Sequence, residues 1–323
     1  MIVHVAEKDD LCSRIYELYN QTVNNQEVLH QELLWEEWKN KFFAEEQDIR
    51  KYTVADADGH GFASGCIDDR SGKCFITFIA VEKEERRKGL GGMLLEALEK
   101  KLREEKGQQQ AIEISFFNPV VFGWNVPEKD GVTHPNTPGV DVSCGAYLFF
   151  KNCGYREFAL QNSYYLPLSQ YEYPADMEKH KENLKEKGFT FTVYDKKEHS
   201  EMEEMLQALG NPEWQRIVLG EPALSEGGRP ILVALCGKQV CGFTGPLAVE
   251  ESGRGFFAGI AVDEKARGNG LAKTLFCALC YQLKEMGAEY MTLFTGENNP
   301  ARNIYEAAGF SVVRSWSDMR KER

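Results

Sequence analysis

Two stretches of the chain share one pattern of apolar and polar positions: a short apolar run, a glycine-containing turn, then a helix with one apolar stripe. FITFIAV (75–81) and FFAGIAV (256–262) are the runs, and their length and composition predict strands. In the helix after the first, Leu90, Leu94, Ala97, Leu98 and Leu102 recur at spacings of three and four, with Glu96, Glu99, Lys100 and Lys101 between them. One face packs and the other is wet. The stretch starting at Cys74 lies over the one starting at Gly255 at a constant offset of 181 residues. Between Phe75 and Leu102 the copies agree at eleven positions: Phe75, Ile79, Ala80, Val81, Arg86, Gly89, Leu90, Leu94, Ala97, Leu98 and Leu102. The chain therefore reads as a tandem repeat. Gly61-Phe62 lies over Gly242-Phe243 at the same offset, whereas Ala146, Gly154 and Tyr155 lie over Ala301, Gly309 and Phe310 at an offset of 155. The first copy thus carries 26 additional residues, between about Gly107 and Ser143.

In the second copy Tyr290 to Thr295 reads as a strand, and Asn299-Pro300 supplies an N-cap and a first-turn proline for a short helix that stops at Gly309. The charged run DMEKHKENLKEK separates SYYLPL, the last strand of the first copy, from FTFTVY, the first strand of the second. The expected division is a first domain over 1–172, a linker or helix over 173–188 and a second domain over 189–323.

A length of 323 residues suits two domains, and 42% hydrophobic with 27% charged residues excludes disordered, collagen-like and disulfide-scaffold classes. Nine scattered cysteines predict free thiols in a reducing compartment. No run reaches the roughly 18 apolar residues of a membrane helix, and MIVHVAEKDD meets charge too soon for a signal peptide, so no membrane partner and a cytoplasmic location are expected. The net charge of −12 argues against nucleic acid and suits a cationic or neutral substrate. Histidines at 4, 30, 60, 134, 180 and 199 show no metal-ligand spacing, and Cys277-x-x-Cys280 reads as helix core, so no metal is expected.

A glycine-rich loop that leaves a strand and opens a helix aims backbone N–H groups and the positive end of the helix dipole at one spot, which suits phosphate. Arg86 and Arg267 put a cation at the start of each such loop. Arg86-x-x-Gly89-x-Gly91 and Arg267-x-x-Gly270-x-Ala272 resemble the pyrophosphate motif of the GNAT superfamily of acyl-CoA-dependent N-acetyltransferases. Asn298-x-x-Ala301-x-x-x-Tyr305-x-x-x-Gly309-Phe310 resembles its second motif.

The resemblance implies an α/β (α+β) fold of two tandem domains, each a mixed, mostly antiparallel sheet flanked by helices. It implies acetyl-CoA as co-substrate and direct attack by a primary amine of a small molecule. On the second copy it places Arg267, Gly268, Asn269, Gly270, Leu271 and Ala272 at the pyrophosphate, Ile260, Ala261 and Val262 along the pantetheine arm, and Asn298 and Asn299 beside it. Tyr305 is implied as the general acid for the leaving thiolate. A second CoA site would use Ile79, Ala80, Val81, Arg86, Arg87, Lys88, Gly89, Leu90 and Gly91.

The copies differ at the second motif: Phe150 stands opposite Tyr305, and Ser143 and Cys144 stand opposite Asn298 and Asn299. Phenylalanine cannot donate a proton, and Tyr147 is one helical turn away, so the second copy is the expected catalytic domain. Glu221 and Glu297 are candidate bases beside a water chain. Trp124, His134 and Asp141 of the insertion either line a substrate pocket or belong to a packed loop over a sheet edge. Two other readings stay open: a non-catalytic acyl-CoA-binding protein, and an acetyltransferase of protein amines. The sequence carries no signal for oligomeric state.

Overall fold

The computed structural model describes residues 1–6, 10–107, 110–220 and 228–322. Two compact units divide them: Met1–Asn162 with Arg314–Arg323, and Ser163–Val313. Both contain sheet flanked by helices, mixed and mostly antiparallel in the first unit and antiparallel over the strands from Phe189 to Val262 in the second, in line with what the resemblance implies.

In the first unit β1 (Ile2–Val5), β2 (Ile49–Asp56), β3 (Gly61–Asp68) and β4 (Lys73–Val81) form an antiparallel run. Helices α1 (Leu11–Asn24) and α2 (Trp35–Phe42) pack into one apolar cluster and α3 (Leu90–Lys106) into another, so β3 is buried along its whole length. Small side chains answer that double burial. At Gly65 a Cβ would lie 2.5 Å from the Phe75 carbonyl oxygen, so only glycine lets the strands approach there.

Directly beside this close approach the register passes from Ser64 opposite Phe78 to Gly65 opposite Ile76, which leaves Thr77 as an extra residue, a bulge on β4. Strand β5 (Ile112–Ile114) pairs parallel with β4 only at Cys74–Ile112 and Phe75–Glu113. Beyond those pairs β4 continues to Val81 without it, and the two strands part.

The insertion holds β6 (Trp124–Asn125) and β7 (Thr133–His134), which pair with each other, and β8 (Val140–Asp141). Then follow α4 (Gly145–Asn152) and β9 (Arg156–Pro167).

The second unit continues with α5 (Ala175–Glu186), β10 (Phe189–Val193), α6 (Met202–Leu209), α7 (Pro212–Gly220), β11 (Leu232–Cys236), β12 (Gln239–Thr244) and β13 (Ile260–Val262). After them come α8 (Leu271–Glu285), β14 (Tyr290–Gly296), α9 (Arg302–Ala307) and β15 (Ser311–Lys321). Strands β10 to β13 form an antiparallel sheet with α8 against it.

The units depart from the expected division at two places. Residues 173–188 are no free linker: α5 packs on α8, and Leu184 is fully buried in the same apolar cluster as Leu275 and Leu279. The last ten residues belong with the first unit, because β15 pairs with β5 at Met319–Ile114 and with β8 at Trp316–Asp141. Strand pairing outweighs sequence proximity here.

Candidate active site

The local geometry of the two glycine loops is the same. After β4 and after β13 comes one turn of 3-10 helix, then a residue with left-handed backbone, then a left-handed glycine that starts the long helix. The positions are Arg87 (φ +61°) and Gly89 (φ +94°) in the first copy, Gly268 (φ +81°) and Gly270 (φ +80°) in the second. The arginines do not reach out as free cations. Arg86 donates from Nε to the Val81 carbonyl at 2.8 Å and pairs with Glu27, and Arg267 donates from Nε to the Val262 carbonyl at 3.1 Å. Each guanidinium therefore pins its loop to the end of its strand, and anion binding falls to backbone N–H groups at the helix start.

The surroundings of the loops differ. Gly89 and Gly92 have nothing within 4 Å of a Cβ position, so the first loop is open. A groove of about 650 Å³ runs over it, walled by Ile79, Ala80 and Val81 of β4, by Arg86, Arg87, Gly89, Gly91 and Gly92, and by Gly145, Leu148, Phe149 and Asn152 of α4. In the second copy the His180 imidazole of α5 bonds the Asn269 carbonyl at 2.9 Å through Nε2, and a Cβ on Gly270 would fall against that ring. The second loop is covered by its own chain.

The expected catalytic residue is buried with it. Tyr305 is 6% exposed and packs among Phe276 (5.0 Å between ring centres), Phe257 and Tyr164 (both 6.0 Å). Burial, with a small contribution from Tyr164, pushes its phenol up to about 12. Trp214 of α7 donates its indole N–H to the Ala258 carbonyl at 3.1 Å, just before Ile260 and Ala261. Asn298 and Asn299 lie on the surface, where Asn299 accepts the Ala301 amide through Oδ1 at 3.0 Å, a turn contact. Glu297 is exposed, and Glu221 lies outside the described residues. The second copy, the expected catalytic domain, thus carries packing from α5, α7 and the aromatic cluster at its loop, its strand and its tyrosine.

In the first copy the groove meets a cavity of about 120 Å³ in the fork between β4 and β5. Ile79, Cys144, Ala146 and Val28 line both spaces, and Phe150, the counterpart of Tyr305, lines the cavity. Of the three insertion residues singled out in the sequence, only Asp141 reaches it. Trp124 and His134 are buried, Trp124 edge-on to Trp316 with ring centres 4.9 Å apart.

One residue that the sequence did not single out stands in the wall. The ring of His30 is stacked on Phe122, ring centres 4.9 Å apart and planes within 4°, and its buried Nδ1 has no hydrogen-bond partner. Burial, aided by the Lys41 ammonium, pulls its pKa down to about 4. An unfolded chain takes up this proton near pH 6.5 and the folded chain does not, so unfolding binds protons between these values. Stability is expected to be full above pH 6.5 and to decline by up to about 3 kcal/mol towards pH 4. Unfolding free energies measured across this range should fall less steeply for His30→Phe than for the unaltered chain.

With this geometry in hand, the comparisons with known proteins are direct. The acetyltransferase (GNAT) family model matches residues 12–119 and 182–310. The chain belongs to the GNAT acetyltransferase family. It is an N-acetyltransferase of that type, and its general chemistry is acetyl transfer. No curated protein sequence matches it.

Solved structures match in fold. A GCN5-related N-acetyltransferase from Sphaerobacter thermophilus has a TM-score of 0.64 at 16% identity, covering 100% of this chain and 95% of that one. A tandem GNAT protein from the clavulanic acid biosynthesis pathway has a TM-score of 0.58 at 14% identity, with 100% and 98% covered. A GCN5-related glucosamine N-acetyltransferase region of a fungal multi-domain GH3 β-N-acetylglucosaminidase has a TM-score of 0.66 at 16% identity, and the match covers 99% of this chain but 38% of that chain. Among the described residues no helix is long and apolar enough to cross a membrane, and no cluster of His, Cys, Asp and Glu could hold a metal ion.

Acetyl-CoA is the general co-substrate of this family, and the first copy's residues fit it: open glycines at a helix start, an unpaired edge of β4 and a groove that ends in the cavity. In the second copy His180 packs against Gly270 and bonds the Asn269 carbonyl, while Gly268 has nothing within 4 Å of a Cβ position.

Proposed function

We propose that the chain transfers an acetyl group from acetyl-CoA to a primary amine of a small molecule, by direct attack in a ternary complex, in its first copy. The observation that carries this reading is the junction of groove and cavity, where Ile79, Cys144 and Ala146 line both spaces. Bound acetyl-CoA supplies the activated acyl group. The amides at the start of α3 hold the pyrophosphate, and the free edge of Ile79 to Val81 pairs with the pantetheine arm. The bulge at Thr77 turns β4 amides away from the ladder with β3, and one of them aimed at the developing oxyanion is worth on the order of 3 kcal/mol.

Cys144 holds a proton where the two spaces meet, because burial and the Asp141 carboxylate raise its thiol pKa. That thiol stands in the first copy where a phenol is lacking at Phe150. The small volume of the cavity, about 120 Å³, favours a small-molecule acceptor over a protein amine.

Titration calorimetry with acetyl-CoA, run beside an amine-dependent assay of CoA release, tests the reading. One site per chain is expected. Tyr305→Phe is expected to keep turnover within about threefold, because a buried phenol away from the site removes no transition-state contact. A drop of 10²-fold or more, the range of a positioned acid, returns catalysis to the second copy. Saturable acetyl-CoA binding with no turnover across a broad amine panel would favour the non-catalytic binding protein instead.

A further inference from the structure

The cavity's own charges say what form of amine it takes, an inference that rests on the first-copy reading above. Three titratable side chains line it: His30, Asp141 and Cys144. The Asp141 carboxylate is held by Arg314 in two parallel bonds, Nε to Oδ1 at 2.9 Å and Nη2 to Oδ2 at 2.6 Å, and its Oδ1 also accepts the Ser143 amide at 2.9 Å. Its charge is answered within the protein. The remaining polar side chains of the lining, Thr77, Ser115, Asn118, Asn136, Thr137 and the Trp316 indole, are all neutral.

Behind the wall, Glu113 is paired with Lys73 and Arg320, and Asp318 accepts the Gln161 amide at 2.8 Å and the Phe116 amide at 3.2 Å. No carboxylate lining the cavity is left for an incoming ammonium.

Aromatic faces could replace a carboxylate, since cations bind over rings. Of the aromatic rings in the lining, Phe122 is taken, and Phe78, Phe150 and Trp316 are the others. Lys41 Nζ sits 5.4 Å from the centre of the Phe122 ring, the ring against which His30 is stacked. Lys41, which also donates to the Val121 carbonyl at 2.7 Å and feels the Glu37 and Glu46 carboxylates, puts a positive charge behind that ring, and it repels a second cation while leaving a neutral nitrogen unopposed. The unpartnered Nδ1 of His30 adds a neutral polar group to the same wall.

We infer that the acceptor enters this cavity as a neutral free base, so that the substrate class is small, weakly basic amines, and that Lys41 and the Arg314–Asp141 pair set the preference. The acidic surface of the chain as a whole, net −12, points the other way, but a screened surface field weighs less than charges at the cavity wall.

Two probes of equal size test it: hydroxylamine, neutral at pH 7.5, and methylamine, a cation there. Each rate of acetyl transfer from acetyl-CoA is divided by its uncatalysed rate. The expected result is that hydroxylamine is favoured beyond the buffer's own ratio, and that Arg314→Gln, which unmasks Asp141, and Lys41→Gln each shift the ratio towards methylamine about tenfold. The ratio does not depend on how much of a variant is folded.

A wild-type preference for methylamine, or a ratio that neither variant moves, overturns the inference. Acetyl-CoA binding that Gly92→Glu abolishes, with no transfer to hydroxylamine, also overturns it and leaves the groove assignment standing. Acetyl-CoA binding that Gly92→Glu does not weaken removes the first-copy reading and this inference with it.

Discussion

Replacing Gly92 with glutamate is expected to cost at least 10²-fold in acetyl-CoA affinity and to leave the chain as stable as before. Gly92 lies in the first turn of α3, lines the groove and has no atom within 4 Å of a Cβ position. Its backbone is not among those with positive φ, so a side chain enters without strain. Inside a helix the exchange of glycine for glutamate gains up to about 1 kcal/mol in propensity, and an acid in the first turn is favoured by the helix dipole. Folding therefore does not suffer.

Binding does, because the new carboxylate stands where the helix start would hold a phosphate. Two like charges about 4 Å apart at an effective dielectric near 20 repel by about 4 kcal/mol, and the bulk of the side chain adds to this. Calorimetry for affinity and a melting curve for stability check both halves. Unchanged affinity in a folded variant would remove the groove as the CoA site.

The repeat, the strand-loop-helix units and the family were legible in the sequence because they rest on local spacing, which two copies at one offset make visible. The packing around each loop was not. An intact loop and a tyrosine in the right motif position pointed to the second copy, but whether a loop is open depends on what packs over it. The covering residue, His180, sits in a charged run that reads as a linker. Its sequence trace is Met177 and Leu184, the two apolar positions in that run, which tie α5 to the cluster of α8.

The positions of Phe150 and Cys144 in the second motif tell which phenol and asparagine are missing, but not that Cys144 lines both spaces and Phe150 the cavity. The exchange of Arg314–Arg323 into the first unit is set by strand pairing across more than 170 residues, which no local pattern announces. His30 carries no motif. Its placement follows from an isolated bridge to Trp124 that brings the insertion over the fork. The aromatic content of FFNPVVFGW was the available signal that this insertion is core.

That signal leads to the second large effect: Trp124→Ala is expected to destabilise the first unit by about 3–5 kcal/mol, in the range of large-to-small core substitutions. Trp124 is 0% exposed, packs edge-on to Trp316 at 4.9 Å, and pairs through β6 with His134 of β7. Its indole N–H donates to the carbonyl of the half-buried Asn136 at 3.0 Å, so truncation also removes this bond, which adds to the cavity cost. Denaturant unfolding followed by a probe of the first unit checks this, since a chain of two units need not unfold in one step.

Trp124→Phe keeps most of the volume and should lose only about 1–2 kcal/mol, which leaves a folded variant for kinetics. In it acetyl-CoA affinity should hold, because the groove residues do not touch Trp124, whereas turnover should fall. The indole anchors Asn136 and packs on Trp316, and both line the cavity in which the amine is proposed to react. A cost below about 1 kcal/mol for Trp124→Ala would mean that the insertion is a surface cover and not core. The cavity would then lose its rigid wall, and the first copy the feature that separates its site from that of the second.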